Sequence, residues 1–325
     1  MTHRPPRRQL AGLLTCRRGS LPGRRPVCGA LSALAGPVGI ALSLSLAFTA
    51  TAPRWGMAGH RITGLAAAST MPDAMPAFFR AAVDRLGWLN YEPDRWRADA
   101  LVEANEAFRY DHYVDLENVS EMARRARDRF EYLSILQREN IERPARDGGL
   151  LAFRILELQQ RLTIGFSQWR RSTDAQERRW IEERIINDAG ILGHYAADAA
   201  NPHHTSIHHN GWAAGAPNPD GFTTDRDFHS RFEAEFVGAR ATLEDVVARL
   251  DRDARRLAQP RADIWSFILA SHEQLRRLYQ LERRERFSAA TASPAHLVFA
   301  TERLAAGADF LRSLWWTAWL DSEAL

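Results

Sequence analysis

Apolar residues along most of the chain recur at the spacing of amphipathic helices. After residue 55 β-branched residues are sparse, and no alternation of apolar and polar positions extends beyond a few residues. Ala, Leu, Arg and Glu, which favour helices, dominate this part of the chain. The pattern predicts a single all-α domain over 55–325, with helices at roughly 59–69, 74–87, 118–139, 149–167, 174–200, 229–257, 261–285 and 295–320.

Two of these predicted helices carry further signals. Asp174 precedes Glu177 by three residues, which is the spacing of a helix N-cap and its N3 partner. In the last helix, apolar residues recur every seven positions and predict a stripe buried against other helices; these are Leu297, Leu304, Leu311 and Ala318.

The first 54 residues differ from the rest and predict a cleaved export signal. They contain eight arginines and no acidic residue, followed by an apolar run from about Leu31 to Ala52 that ends in the small residues Ala50-Thr51-Ala52. An uncleaved membrane anchor is the alternative. Cleavage would leave no transmembrane segment, and we expect a periplasmic or secreted protein with no stable protein partner.

Removing this leader changes the charge of the protein. Taking eight arginines from 43 basic residues leaves 35 against 40 acidic residues, a net charge of −5. The basic character of the whole chain is therefore no evidence for nucleic-acid binding. Cys16 and Cys28 also lie in the leader, so a metal site in the remaining domain must be built from His, Asp and Glu.

Histidines and carboxylates gather around an irregular stretch at 201–222. His194 and Asp198 are four residues apart and share one face of the predicted helix before it, and His229 and Glu233 have the same spacing after it. Pro202 ends the first helix, so that the chain delivers His204 just beyond it. Imidazole and carboxylate groups in this arrangement suit Zn²⁺, although a lone pair of this kind is more often a surface hydrogen bond.

Three further motifs extend the pattern: Trp55-Gly-Met-Ala-Gly-His60, Trp96-Arg-Ala-Asp99 and Tyr110-Asp-His112-Tyr-Val-Asp115. With them, residues 55 to 320 resemble the family that contains the fungal single-strand-specific nucleases and the bacterial zinc-dependent phospholipases C. This resemblance implies an all-α fold with three zinc ions at the bottom of a cleft.

The resemblance also implies a ligand set for each zinc ion. His112, His194 and Asp198 would hold one zinc together with an Asp from the preceding segment. Asp198 would bridge to a second zinc, which His60 and the amino and carbonyl groups of an N-terminal Trp55 would also bind. The third zinc would be held by His204, His229 and Glu233.

The Asp from the preceding segment has two candidates. Asp99 is preferred, because Trp96-Arg-Ala-Asp99 is similar to the Trp-Ala-Asp pattern of the family, and Asp94 is the alternative. We expect Asp99 to act both as a ligand and as the base that orients an attacking water.

The predicted function is hydrolysis of phosphodiester bonds by a metal-activated water. The segment from His229 to Glu233 is similar to the phospholipase branch, which favours a phospholipid substrate, whereas the segment from Trp55 to His60 is similar to the nuclease branch. A single-strand-specific nuclease is therefore one alternative, with Tyr113, Tyr195 and Trp212 as candidates for base stacking. A non-catalytic exported zinc-binding protein is the other alternative.

Overall fold

A computed structural model of the protein describes residues 56–98, 100–251 and 253–325. Regular structure within these ranges is helical, which confirms the all-α prediction, and an isolated bridge between Val114 and Gly149 is the nearest approach to a sheet there. The predicted leader, residues 1–54, lies outside the described residues. The α-helices are α1 (Met57–Ser69), α2 (Ala77–Arg80), α3 (Val83–Leu89), α4 (Glu92–Arg95), α5 (Val102–Phe108), α6 (Glu121–Arg124), α7 (Arg129–Arg138), α8 (Pro144–Gly148), α9 (Leu151–Arg171), α10 (Ala175–Ala200), α11 (Phe228–Ser230), α12 (Val237–Arg240), α13 (Leu243–Val247), α14 (Pro260–His272), α15 (Leu275–Arg284) and α16 (Pro294–Asp321).

Helix α10 forms the centre of the fold. Its N-cap is the one predicted, because the Asp174 side chain accepts a hydrogen bond from the Glu177 N–H at 2.7 Å. From Asp188 to Ala200 every residue is buried. This half of the helix is enclosed by α1, α3, α9 and α16, so a polar side chain placed on it is removed from water.

Two glycines of α10 allow α3 to approach it closely. A Cβ atom at Gly190 would lie 2.2 Å from Leu89 Cβ, and one at Gly193 would lie 2.0 Å from Asn90 Nδ2. Neither contact is possible for a real side chain. The end of α3 therefore lies directly against the backbone of α10, and this places Asn90 beside the next turn of that helix.

The last helix, α16, spans Pro294–Asp321, close to the predicted 295–320. Leu304, Leu311 and Ala318 of the predicted stripe are buried, and Leu297 is partly buried against the core. Although α16 has 28 residues, neither it nor any other helix in the described ranges combines the length and hydropathy needed to span a bilayer.

Several predicted helices are shorter than expected. The predicted helix at 118–139 is divided into α6 and α7, because the Asp128 side chain accepts hydrogen bonds from the N–H groups of Phe130 and Glu131 and begins a new helix there. In the same way, Thr242 caps α13 and interrupts the predicted 229–257. Apolar periodicity continued across these caps, and so the prediction joined separate helices into one.

Candidate metal centre

Helix α10 presents two potential metal ligands on its buried face. His194 is 0% exposed and Asp198 is 1% exposed, and His194 Nε2 lies 3.3 Å from Asp198 Oδ2. On the other side of the ring, His194 Nδ1 lies 2.9 Å from the main-chain oxygen of Asn90. Because a carbonyl oxygen can only accept, Nδ1 carries a proton, and Nε2 is the ring nitrogen that faces Asp198.

A first group of ligands forms where the 3-10 turn Arg109–His112 meets α10. His112 Nδ1 lies 2.9 Å from His194 Nε2 and 3.1 Å from Asp198 Oδ2. The carboxylate of Asp94, on α4, joins this group, since ligand atoms of Asp94, His112 and His194 lie within 4.8 Å of one another. In a tetrahedral zinc site with bonds of about 2.0 Å, neighbouring ligand atoms are roughly 3.3 Å apart. The 2.9 Å between His112 Nδ1 and His194 Nε2 is close to that separation, and the Asp94 carboxylate lies within 4.8 Å of both.

Asp94 is the alternative that the sequence left open for this group. Its side chain is 8% exposed. Burial raises its pKa, but the surrounding histidines, His194 foremost, outweigh burial and leave the pKa below its ordinary value. Asp94 is therefore an ionised carboxylate beside the two imidazoles. Asp99, the preferred candidate, lies outside the described residues, and its role stays a prediction.

A second group lies on the other side of Asp198. Its Oδ1 atom is 3.5 Å from His60 Nε2, whereas Oδ2 faces His112 and His194. The His60 ring stacks on His194 with centroids 3.9 Å apart, and His60, His194 and Asp198 form a set that could hold a metal ion. Asp198 thus directs one oxygen to each of two groups, as a bridging carboxylate does. Trp55, the other predicted ligand here, lies outside the described residues.

The charges in these two groups fit metal binding. Burial lowers the pKa of His60 to about 3, with a further contribution from His194, so that this imidazole is neutral. For Asp198, burial raises the pKa, but His194, His204 and His112 hold it well below its usual range. Metal ligation requires neutral imidazoles and ionised carboxylates. His60 and Asp198 are already in these states, whereas at His194 burial is outweighed by Asp198, which raises the pKa of the imidazole, so that a metal ion bound there would displace a proton.

A third group joins the turn Pro202–Thr205 to the start of the long helical segment after the loop. His204 Nε2 lies 2.9 Å from Glu233 Oε1 and 3.3 Å from His229 Nε2, and His229 Nε2 also contacts Glu233 Oε1. His204 Nδ1 donates to the main-chain oxygen of His112 at 2.6 Å. As at His194, a carbonyl therefore holds the ring so that Nε2 faces the other donors.

Two local features position Glu233. It lies in a π-helical segment, Arg231–Phe236, between α11 and α12; such widened turns are frequent at functional sites. The Asn201 amide donates from Nδ2 to Glu233 Oε1, and its Oδ1 accepts from the His203 N–H at 3.1 Å. Asn201 is fully buried. No role was predicted for Asn201 from the sequence. Its position in the chain between the candidate ligands Asp198 and His204 was the one feature that could have indicated a role at the site.

The three aromatic residues that the sequence offered for base stacking have different surroundings. Tyr195 is fully buried within the core. Trp212 stacks on His208, with ring centroids 3.8 Å apart. The Tyr113 hydroxyl donates to the main-chain oxygen of Arg146 at 2.6 Å. Tyr195 is therefore a packing residue, and the other two are held by neighbours within the chain.

Comparison with known proteins adds no family name to this geometry. No protein-family model matches the chain, and no curated protein matches its sequence. The class of site is defined by the residues themselves. They form buried clusters of His, Asp and Glu that could hold metal ions, and their donor atoms converge at distances suited to that role.

Proposed function

We propose that this chain is an exported zinc-dependent hydrolase of phosphodiester bonds, with the fold of the family that includes phospholipases C and single-strand-specific nucleases. The observation that carries the proposal is the position of Asp198. Its Oδ1 faces His60, its Oδ2 faces His112 and His194, and the third group lies beside it, since His204 Nδ1 is 3.6 Å from Asp198 Oδ1. Adjacent metal ions that share a carboxylate are a recurrent device for phosphodiester hydrolysis.

The donor set supports zinc. The three groups contain imidazole nitrogen and carboxylate oxygen, and both cysteines of the chain lie before residue 55. Mixed nitrogen and oxygen donors at these spacings suit Zn²⁺ better than Mg²⁺ or Ca²⁺, which prefer oxygen ligands. One ion for each group gives three zinc ions per chain. Their charge would exceed that of the carboxylates Asp94, Asp198 and Glu233, and so would attract an anionic phosphodiester.

Zinc ions in these groups would lower the pKa of a water molecule and polarise the phosphoryl oxygens. The carboxylate of Asp99, as the sequence prefers, or of Asp94, which lies beside the two imidazoles of the first group, would orient the attacking water and accept its proton. A bond forms between phosphorus and the water oxygen, the ester bond breaks, and the alcohol leaves with a proton from solvent. The carbonyls of Asn90 and His112 fix His194 and His204, so the ligands need no rearrangement during the reaction.

A phospholipid is the substrate class that we favour. Four large apolar side chains are at least half exposed on the segments that carry His60 and Asp94, or directly beside them; they are Met57, Trp88, Leu101 and Val102. Exposed apolar groups of this kind can enter a lipid surface. Burial of Tyr195 also removes one of the stacking residues that the nuclease alternative would use.

Parallel assays on phosphatidylcholine, single-stranded DNA and RNA test the proposal. We expect phosphatidylcholine hydrolysis that is lost with a chelator and restored by Zn²⁺. The Asp198→Asn variant should lose activity by more than about a hundredfold, because it removes a ligand shared by two groups. The matched control is Asp188→Asn, which changes a buried carboxylate of the same helix that pairs with Arg161. Full activity of metal-free protein would overturn the proposal, and activity confined to DNA and RNA would select the nuclease.

A further inference from the structure

An open groove lies between α6, α9, the first turn of α14 and the C-terminus, away from the metal centre. Its volume is about 860 Å³, which is in the range of small-molecule sites. The opposite end of α14 contacts the metal-bearing turn, where His272 Nδ1 lies 3.0 Å from the Thr205 carbonyl oxygen. Since α14 has 13 residues, the groove lies roughly 18 Å along the helix from that contact.

The wall of the groove is mainly apolar. Leu156 and Ile164 come from α9, and Trp265 and Pro260 come from α14. Leu156 and Trp265 are buried, whereas Ile164 remains 50% exposed. A half-exposed isoleucine between a leucine and an indole offers a surface to the hydrocarbon part of a ligand.

Positive charge at the rim of the groove is incompletely neutralised. Arg125 pairs with Glu121 and Asp321 pairs with Arg256. The C-terminal carboxylate of Leu325, which also lines the groove, accepts a hydrogen bond from Arg171 at 2.7 Å. Arg261 instead donates to the main-chain oxygens of residues 126 and 127, which fix its guanidinium without cancelling its charge.

Arg124 adds a second uncompensated charge to this rim. No carboxylate within the described ranges lies in ion-pair distance of its guanidinium, and the side chain is half-buried in the lining. Arg124 and Arg261 therefore give one end of an apolar groove an unbalanced positive charge, which suits a ligand with one anionic group.

We propose that this groove binds a small anionic amphiphile, a long-chain carboxylate. The chain would lie against Leu156, Ile164 and Trp265, and the carboxylate would accept hydrogen bonds from Arg124 and Arg261. This site is separate from the metal centre and does not depend on the function proposed for it.

The test uses a fluorescent long-chain carboxylate titrated into the purified full chain, at concentrations below micelle formation. We expect saturable binding of one probe molecule, displaced by an unlabelled fatty acid and much less by the alcohol of the same length. Arg124→Glu and Ile164→Glu should each weaken binding by about tenfold or more, because they remove a charge-assisted hydrogen bond and the apolar wall, respectively. Arg85→Glu is the matched control, since it reverses an exposed arginine of α3 outside the groove.

Thermal unfolding of each variant shows whether its fold is retained. If Ile164→Glu is unstable, Ile164→Ala is used, with a smaller loss of affinity expected. Binding that is absent, or that is equally strong in the Arg124 and Ile164 variants, would overturn the proposal. The second of these outcomes would place the probe elsewhere, for example on the apolar leader that all variants share. Equal displacement by the alcohol would overturn the assignment of an anionic ligand.

Discussion

Replacing Gly193 with alanine is expected to weaken metal binding without changing a ligand. The new Cβ atom would lie 2.0 Å from Asn90 Nδ2. The Asn90 side chain has little room to move away, because it also lies against Gly64, where a Cβ atom would be 2.7 Å from the same nitrogen. The displacement must therefore reach the Asn90 backbone, whose carbonyl oxygen accepts the hydrogen bond from His194 Nδ1.

Two effects set the magnitude of this change. Overpacking of a tight helix contact costs about 1–3 kcal/mol, and the better helix propensity of alanine offsets at most about 1 kcal/mol. Loss of the hydrogen bond that orients a ligand histidine typically lowers metal affinity by about 10–100-fold. We therefore expect Gly193→Ala to be moderately destabilised and to bind zinc at least about tenfold more weakly.

The assay combines zinc competition against a chromophoric chelator with thermal unfolding of the metal-free protein. Gly165→Ala is the packing control, because its Cβ atom would meet Ile185 Cγ1 at 3.0 Å, in the first half of α10; it should lose stability and keep its zinc affinity. Gly238→Ala controls for helix propensity, since nothing lies within 4 Å of its Cβ position. If Gly193→Ala loses stability but binds zinc as tightly as the unchanged protein, the Asn90 carbonyl does not determine ligand orientation.

Three further predictions follow from the same geometry. Asn201→Ala should lower zinc affinity by about tenfold, because Glu233 loses the amide that positions it; a full zinc content after dialysis against dilute chelator would contradict this. Chelation should lower the unfolding temperature of the protein and added Zn²⁺ should restore it, as for any ligand bound by the folded state; an unfolding temperature that ignores both treatments would argue against structural metal. Burial, with Glu117 and Asp147 nearby, raises the pKa of Asp115 to about 7. Because the unfolded value is about 3.9, the stability that Asp115 contributes is present below pH 4 and is lost as pH rises towards 7, and Asp115→Asn should remove up to about 4 kcal/mol of this pH dependence. Denaturant unfolding of both proteins between pH 4 and 8 measures the difference, and parallel curves would refute it.

The sequence was most informative where ligands share one helix. The pairs His194–Asp198 and His229–Glu233 follow from a spacing of four residues, which brings side chains together whatever surrounds the helix. Helical class could also be predicted, because periodicity persists over long segments. Helix ends were harder to predict from the sequence, because a cap such as Asp128 acts through one side chain and does not interrupt the apolar periodicity.

Contacts between distant segments could not be obtained from spacing. Asp94 and Asp99 lie on the same stretch of sequence before His112, and the inward position of Asp94 depends on how α4 is placed against α10. The hydrogen bond from His194 to Asn90 ends on a main-chain carbonyl. Every residue has such a carbonyl, so the residue type at position 90 could not predict this hydrogen bond. Asn201 acts on Glu233 across 32 positions of the chain, and its role becomes visible when the loop is folded.

His112 contributes to the metal centre in two ways, since its ring nitrogen belongs to the first group and its carbonyl oxygen holds His204 of the third. A shift of His112 would therefore change the positions of donor atoms in both groups. A metal ion that fixes the His112 ring would also fix the His112 carbonyl oxygen, which orients the ring of His204. By thermodynamic linkage, an ion bound at His204 would change the metal affinity at His112 by the same factor. Metal ions in the two groups would therefore be energetically coupled, and the peptide unit of His112 would carry that coupling.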